Sequence, residues 1–165
     1  MKIGVISDTH MPRRGKSLPP VLWEVFQEVD LILHAGDVVE AGVLLDLETI
    51  APVEAVAGNM DSGELAFRLP RKKILHVGGK RIGLVHGDGS SSTTLGRAIL
   101  AFAQDQPDCI VFGHSHQPFN QVMNGVLMFN PGSCTDPRRE PRPSCGLLHV
   151  KEGEIRGEII YFERA

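Results

Sequence analysis

Short apolar runs recur along this chain, and each leads into residues that can bind a metal ion. The runs cover residues 3–6, 31–35, 53–57, 82–85 and 110–112. The motifs that follow them are Asp8-Thr9-His10, Gly36-Asp37, Gly58-Asn59-Met60-Asp61, His86-Gly87 and Gly113-His114-Ser115-His116. Open α/β sheets build their sites at the carboxyl ends of their strands. The pattern therefore predicts a fold in which strands deliver these side chains to one edge.

The order of strand and helix signals changes near the middle of the chain. In the first half, short strands alternate with amphipathic helices, which favours a parallel βαβαβ unit. Three helices are predicted: one capped at Ser17 and running to about Val29, one over Gly42–Ile50, and one capped within Ser91-Ser92-Thr93 and running to about Gln104. The second half carries three hairpin signals, which are Gly78-Gly79, Asn124-Gly125 and Glu152-Gly153. We therefore predict the α/β class, with two mixed β-sheets packed face to face, helices outside, and a single domain over residues 1–165.

Composition excludes several classes of protein. The 165 residues suit one domain with a sizeable core, and no apolar run approaches the ~20 residues of a membrane span. The formal net charge of −3, with one Tyr and one Trp, argues against a groove for long nucleic acid. The three cysteines show no C-x-x-C spacing, so we expect reduced thiols and a cytoplasmic location.

The residue types in the motifs indicate metal binding. Two Asp, one Asn and four His give seven oxygen and nitrogen donors, more than one ion needs but suited to two ions that share a carboxylate. Asp37 can be that bridge because a carboxylate has two oxygens, whereas an imidazole cannot bridge. Asp8 and His10 are two residues apart, so in an extended segment both would face one ion.

Each motif alone has an ordinary interpretation. Asp at the end of a strand is often a turn former or a helix cap, and Gly-Asp and Gly-Asn pairs favour turns. The combination of all five motifs, in this order and at strand ends, is what indicates a metal centre. His34 precedes the Asp37 turn, and we interpret it as a buried hydrogen-bonded group rather than a ligand.

These motifs resemble those of the calcineurin-like metallophosphoesterases. That superfamily's pattern runs D-x-H, G-D, G-N-[HC]-[DE], H and G-H-x-H, and this chain matches it from Asp8 to His116. The segment at residues 130–133, Asn-Pro-Gly-Ser, also recurs in the small single-domain bacterial and archaeal phosphodiesterases, to which the whole chain is similar. The resemblance implies a four-layer αββα sandwich with a di-metal site.

The resemblance also assigns roles. One metal would be held by Asp8, His10, Asp37 and His116. The second would be held by Asp37, Asn59, His86 and His114, so Asp37 bridges them. We place Asp37, Asn59 and His86 in the catalytic set, and we expect a metal-bridging hydroxide to attack a small phosphodiester. Mixed nitrogen and oxygen donors suit Mn²⁺, which we favour, as well as Fe, Co²⁺, Ni²⁺ or Zn²⁺.

Two further expectations concern the substrate. Many relatives carry His after the Asn, where it can protonate the leaving group, but this chain has Met60, whose thioether cannot donate a proton. The basic loop at residues 137–143 follows the Asn-Pro-Gly-Ser turn, and we expect Arg138 or Arg139 to bind the anionic substrate.

Alternative functions remain open from the sequence. A phosphomonoesterase or nucleotidase could use the same metals, and the retromer subunit of eukaryotes resembles this fold but serves chiefly as a binding scaffold. A scaffold is free to lose ligands, whereas all seven positions are filled here, which favours the enzyme. The oligomeric state stays open, with a homo-oligomer among the options, and the physiological substrate is not defined by any motif.

Overall fold

Two five-stranded β-sheets form the centre of the computed structural model, which describes residues 1–164. Ala165, the last residue of the expected domain, lies outside the described residues. The strands are β1 (Lys2–Ile6), β2 (Leu31–His34), β3 (Val53–Ala55), β4 (Lys72–Val77), β5 (Lys80–Val85), β6 (Cys109–Val111), β7 (Phe119–Met123), β8 (Val126–Asn130), β9 (Ser144–Lys151) and β10 (Glu154–Tyr161). The helices are α1 (Val21–Val25), α2 (Gly42–Glu48), α3 (Gly63–Arg68) and α4 (Thr94–Ala101).

Both sheets are mixed, as predicted. The first has the strand order β10-β9-β1-β2-β3, in which β1, β2 and β3 are parallel and β9 runs antiparallel to β1. The second has the order β4-β5-β6-β8-β7, in which β6 is parallel to both β5 and β8. The three predicted hairpins are confirmed as β4–β5, β7–β8 and β9–β10. The parallel strands therefore direct their carboxyl ends to one edge of each sheet.

The sheets pack face to face, with helices on their outer faces. Side chains from both sheets, including Val5, Leu33, Leu84 and Phe129, form one buried apolar cluster between them. A second cluster joins α1 and α2 to the outer face of the first sheet, and a third joins α4 to that of the second. Fully burying one such side chain stabilises the fold by about 1.5–3 kcal/mol. The expected four-layer α/β arrangement is confirmed.

The helices are shorter than predicted. The apolar pattern continues past Val25, but Val29 N–H donates to Phe26 O, an i→i+3 bond that closes a turn instead of extending α1. At the start of α4, the Thr93 hydroxyl accepts a hydrogen bond from Gly96 N–H, which confirms the predicted cap, but α4 ends at Ala101 and not near Gln104. Helix α3 was not among the predicted helices.

The three cysteines are free and buried, in agreement with the predicted reduced thiols. Burial raises the pKa of the Cys145 thiol to about 12, and burial raises the pKa of Cys109 and Cys134 further still. The thiolate is the reactive form of cysteine, so none of these side chains is built as a nucleophile. Among the described helices, the longest has eight residues, and none is long and apolar enough to cross a membrane.

Candidate metal centre

The predicted ligand residues lie in the loops that follow β1, β2, β3, β5 and β6, where the edges of the two sheets meet. Backbone hydrogen bonds join these loops. Asp8 N–H donates to Gly36 O at 3.0 Å, and His10 N–H donates to Asp37 O at 3.1 Å. Gly113 N–H donates to His86 O at 3.0 Å. The loops therefore converge because adjacent strands end together.

Two groups of three side chains form at this edge. In each group, one ligand atom from every member lies within 4.8 Å of the others. The first group is Asp8, His10 and His116, and the second is Asp37, His86 and His114. The family resemblance implies the same division of these six residues. It also implies that Asp37 binds the first metal and that Asn59 binds the second.

Asp37 contacts both groups. Its Oδ2 lies 3.4 Å from His10 Nε2 in the first group and 3.1 Å from His86 Nε2 in the second. Asp8 Oδ1 lies 3.7 Å from His86 Nε2 and 3.5 Å from His116 Nε2. Two carboxylates therefore stand between the imidazole rings, which is an arrangement that would hold two neighbouring cations.

Five of the seven predicted ligand residues adopt a left-handed backbone conformation. They are Asp8, His10, Asp37, His114 and His116, with φ between 43° and 70°. Such a conformation is uncommon outside glycine and costs about 1–3 kcal/mol per residue. Our premise that Asp8 and His10 lie in an extended segment is therefore wrong, because β1 ends at Ile6 and a strained turn aims both side chains at the centre. Strain concentrated in this way is typical of functional sites.

The buried polar atoms at the centre fit a cation. Within the described part of the chain, Asp8 Oδ1 and the Nε2 atoms of His10, His86 and His116 are buried without a hydrogen-bond partner. Buried polar atoms are almost always partnered, by protein, water or an ion. Four buried nitrogen and oxygen atoms of this kind, close to one another, would suit a divalent cation as ligands.

Hydrogen bonds on the far side of two rings fix which nitrogen faces the centre. His86 Nδ1 lies 2.7 Å from the carbonyl oxygen of Ala35, and His116 Nδ1 contacts that of Asp136. A carbonyl oxygen only accepts, so each Nδ1 carries the hydrogen and donates it. In the neutral ring, each Nε2 then presents its lone pair to the centre, as metal-binding histidines do.

The electrostatics of the centre favour positive charge. Burial alone would raise the pKa of Asp8, but the contact with His10 and the charges of His86 and His116 hold that pKa well below its usual range. Burial would lower the pKa of His86, but contact with Asp37 and the charge of Asp8 raise it to about 9. The carboxylates therefore remain ionised and attract a cation, which a metal ion would satisfy.

Glycines let the loops approach one another at two points. Gly36 has φ +99°, and a β-carbon there would lie 2.7 Å from His86 Nδ1. A β-carbon on Gly113 would lie 2.7 Å from Asp8 Oδ2. Neither position tolerates a side chain, which explains the glycine that precedes the ligand in these motifs.

Asn59 and Met60 lie on the rim. Both residues are exposed, and 45% of the Met60 surface is accessible. The loop does contact the centre, because Met60 N–H donates to Asp37 Oδ1 at 2.8 Å. The metal-binding role of Asn59 stays a prediction.

Arg138 and Arg139 are exposed on the loop after Asp136. Arg138 Nε lies 3.9 Å from Asp136 Oδ2, and the Asp136 carbonyl accepts from His116, so this loop is tied to the centre. The predicted substrate arginines are therefore near the metal ligands but outside them.

Asp61 is a positioning residue that the sequence motif contains but to which we assigned no role. Its carboxylate accepts backbone N–H bonds from Asp37 at 3.0 Å, Val39 at 2.7 Å and Gly58 at 2.8 Å. The first two belong to the loop after β2 and the third to the loop after β3. Asp61 therefore clamps together the two loops that carry Asp37 and Asn59.

Asp61→Asn is expected to lower stability by about 1–3 kcal/mol and to weaken metal binding by ~10–100-fold. Either orientation of the amide turns its NH₂ group toward at least one backbone N–H donor, which loses its acceptor. Thermal unfolding and Mn²⁺ titration measure the two effects. Asp46→Asn, the same change at an exposed position of α2, is the control. Unchanged Mn²⁺ affinity in Asp61→Asn would contradict the clamp.

Other polar side chains hold the loops from behind. Ser7 Oγ donates to Asp8 Oδ2 at 2.7 Å, and Ser133 Oγ donates to the Asp8 carbonyl at 2.8 Å. Asn130 Nδ2 donates to the Gly113 carbonyl at 3.0 Å, which gives the Asn-Pro-Gly-Ser segment a structural function. His34 is fully buried, and its Nδ1 accepts from Gly36 N–H, as expected for a hydrogen-bonded core group.

A two-sheet sandwich with two groups of Asp and His side chains at its strand ends defines a class of metal-binding α/β protein. Comparison with known proteins identifies the family. A sequence profile of the calcineurin-like phosphoesterase superfamily domain matches residues 1–153. A probable metallophosphoesterase of Methanothermobacter thermautotrophicus is 38% identical over 160 residues, which cover 97% of this chain and 92% of that protein. The chain belongs to the calcineurin-like phosphoesterase superfamily.

Two further similarities are more distant. A phosphodiesterase of Methanocaldococcus jannaschii is 27% identical, with 97% of this chain and 99% of that protein covered. The structure of Vacuolar Protein Sorting 29 from Cryptosporidium parvum matches with a TM-score of 0.76 at 22% identity, covering 99% of this chain and 98% of that one. At this identity the second comparison shows a shared fold only.

Proposed function

We propose that this protein is a di-metal phosphodiesterase that hydrolyses small phosphodiesters. The observation that carries the proposal is the pair of ligand groups, with Asp37 Oδ2 in contact with both and buried lone pairs facing inward. The phosphodiesterase of Methanocaldococcus jannaschii, similar over nearly its whole length, supports the choice of reaction.

The residues divide the work in the proposed reaction. Asp8, His10 and His116 would hold one cation, His86, His114 and Asn59 the other, and Asp37 both. When bound, two divalent cations, which we expect to be Mn²⁺, neutralise phosphate oxygens and make a nucleophile available from water at neutral pH.

The chain's own contribution to the reaction is preorganisation. The Nδ1 hydrogen bonds of His86 and His116 orient those rings so that Nε2 faces the centre, and the Asp61 clamp holds Asp37 in place. The neighbouring loop is held by Ser133, which bonds the Asp8 carbonyl. Fixed ligands of this kind need no rearrangement when a phosphate binds.

A binding scaffold is the alternative from another class. The fold shared with Vacuolar Protein Sorting 29 is compatible with it. Five ligand residues have strained backbone conformations, and each lowers the stability of the fold. A binding scaffold would gain nothing from this strain, whereas a metal enzyme would gain correctly positioned ligands. The complete and strained ligand set therefore favours the enzyme.

The test is hydrolysis by Mn²⁺-loaded protein of bis(p-nitrophenyl) phosphate, a diester, beside p-nitrophenyl phosphate, a monoester. We expect the higher kcat/KM for the diester. His86→Asn, purified in the same way, controls for contaminating phosphatases. A higher kcat/KM for the monoester would assign a phosphomonoesterase, and no turnover above the His86→Asn level would favour a scaffold.

Met60 should restrict the enzyme to substrates with good leaving groups. No proton donor occupies this rim position, so nitrophenolate can leave readily but an alkoxide cannot. Met60→His is expected to raise kcat/KM for an alkyl ester by ~10-fold or more relative to its nitrophenyl counterpart. Val122→His, at an exposed position of β7, is the control. An unchanged ratio of the two substrates, at equal metal content, would show that Met60 does not limit leaving-group protonation.

A further inference from the structure

A polar pocket of about 500 Å³ lies between the loop that carries His114 and His116 and the loop that follows Asp136. It is lined by Ser115, Gln117, Pro137, Arg138, Arg139 and Glu140. Ser115 lies between the ligands His114 and His116 in sequence, and Pro137 follows Asp136, whose carbonyl oxygen accepts the His116 hydrogen bond. One substituent of a phosphodiester bound at the centre therefore has this pocket beside it.

The positive charge of the pocket is available to a ligand. The Asp136 carboxylate, which follows the metal-site loop, lies closer to Arg14 Nε, at 3.3 Å, than to Arg138 Nε, at 3.9 Å. Arg139 forms no ion pair within the described residues, and it is an exposed residue that lines the pocket. Arg138 also adopts a left-handed backbone conformation, with φ +53°, at this turn of the loop. Two guanidinium groups of this kind suit a phosphate, to which each can donate two hydrogen bonds.

The remaining polar groups suit hydroxyls. Ser115 Oγ accepts from Asn130 Nδ2 at 3.1 Å and from Gln117 N–H at 3.3 Å, so its own hydrogen is free to donate. Glu140 also lines the pocket, and its carboxylate is an acceptor to which a sugar hydroxyl can donate. An uncharged aryl group would leave all of these groups without partners, which disfavours it.

We propose that the pocket selects phosphodiesters whose retained alcohol is a sugar carrying a second phosphate. This rests on the proposed phosphodiesterase function and adds the class of substrate. In the reaction, a water oxygen bonds to phosphorus, the bond to the other alcohol breaks, and that alcohol leaves with a proton. The phosphorylated sugar stays on the product phosphate, held by Arg138 and Arg139.

The test compares two substrates that differ by one phosphate: p-nitrophenyl thymidine 5′-phosphate with a 3′-hydroxyl or with a 3′-phosphate. Release of p-nitrophenolate reports both. In the wild-type protein, the 3′-phosphate should raise kcat/KM by ~10-fold or more, the scale of a charge-assisted hydrogen bond to phosphate. Arg138→Gln and Arg139→Gln should each lower that preference several-fold, whereas Glu140→Gln, which removes a negative charge, should raise it.

Arg142→Gln is the matched control. Arg142 belongs to the same loop, but it lies over the Tyr161 ring and 4.0 Å from Glu163, outside the pocket. The preference of the Arg142→Gln variant for the 3′-phosphate substrate should equal that of the wild type. A wild-type preference below twofold, or one that survives both pocket Arg substitutions, would overturn the assignment of the pocket.

Calorimetric measurement of ligand affinity tests the pocket independently of the proposed phosphodiesterase activity. Thymidine 3′,5′-bisphosphate should bind more tightly than thymidine 5′-phosphate, and the difference should shrink in Arg138→Gln and Arg139→Gln. Binding preference without turnover of either nitrophenyl ester would contradict the phosphodiesterase and keep the pocket. Turnover without any preference would contradict the pocket and keep the enzyme.

Discussion

Removal of divalent metal by EDTA is expected to lower the rate of bis(p-nitrophenyl) phosphate hydrolysis by at least ~10³-fold, and Mn²⁺ should restore it. The reason is the composition of the centre. Asp8, Asp37 and the histidines lie together as potential metal ligands, and all three cysteine thiols are buried with raised pKa values, which disfavours the nucleophilic thiolate. Without cations, the ionised carboxylates would repel an anionic substrate.

A second measurement, independent of catalysis, follows from the unpartnered atoms. Mn²⁺ would bind the folded protein through the buried Asp8 Oδ1 and the histidine Nε2 atoms, so it should raise the thermal midpoint. At 100 times the dissociation constant, the stabilisation from one site is about 2.7 kcal/mol. Mg²⁺, which prefers all-oxygen ligands, should stabilise less and serves as the control. Full activity in chelated protein with no bound metal would contradict the di-metal assignment.

Local chemistry explains why so much of the centre was predictable. Asp37 and the paired His114 and His116 are recognisable as donors from their residue types, and each follows an apolar strand. Gly78-Gly79 and Asn124-Gly125 predict turns because their backbones accept positive φ, which both hairpins confirm. The ends of the helices were less predictable. The i→i+3 hydrogen bond from Val29 N–H to Phe26 O follows the end of α1, and the spacing of apolar residues does not indicate it.

The supporting residues could not be found from local signals. Asp61 acts on Asp37, 24 residues away, and Ser133 acts on the Asp8 carbonyl, 125 residues away. Such roles depend on which strand ends lie side by side, and the sequence does not reveal that directly. The left-handed backbone of Asp8 and His10 was missed for a related reason, since bonds to residues distant in the sequence, among them Gly36, Asp37 and Ser133, hold that turn.

Asp37→Asn is expected to lower kcat/KM for phosphodiesters by at least ~10²-fold, more than the loss of any single histidine ligand. Asp37 Oδ2 lies 3.4 Å from His10 Nε2 and 3.1 Å from His86 Nε2, so its charge serves both groups. An amide is neutral and offers one oxygen, so it cannot bridge two cations and also accept from Met60 N–H.

The fold should survive this substitution, which makes the kinetics interpretable. The side chain keeps its shape, and the backbone N–H of residue 37 still donates to Asp61. Elemental analysis after dialysis against Mn²⁺ should find two metal equivalents in the wild type and fewer in Asp37→Asn. His10→Asn, which alters the first group only, should keep the metal of the second group and more of the activity. Asp37→Asn with two bound ions and the wild-type rate would show that no bridging carboxylate is required, because the histidines and Asp8 would then hold both cations by themselves.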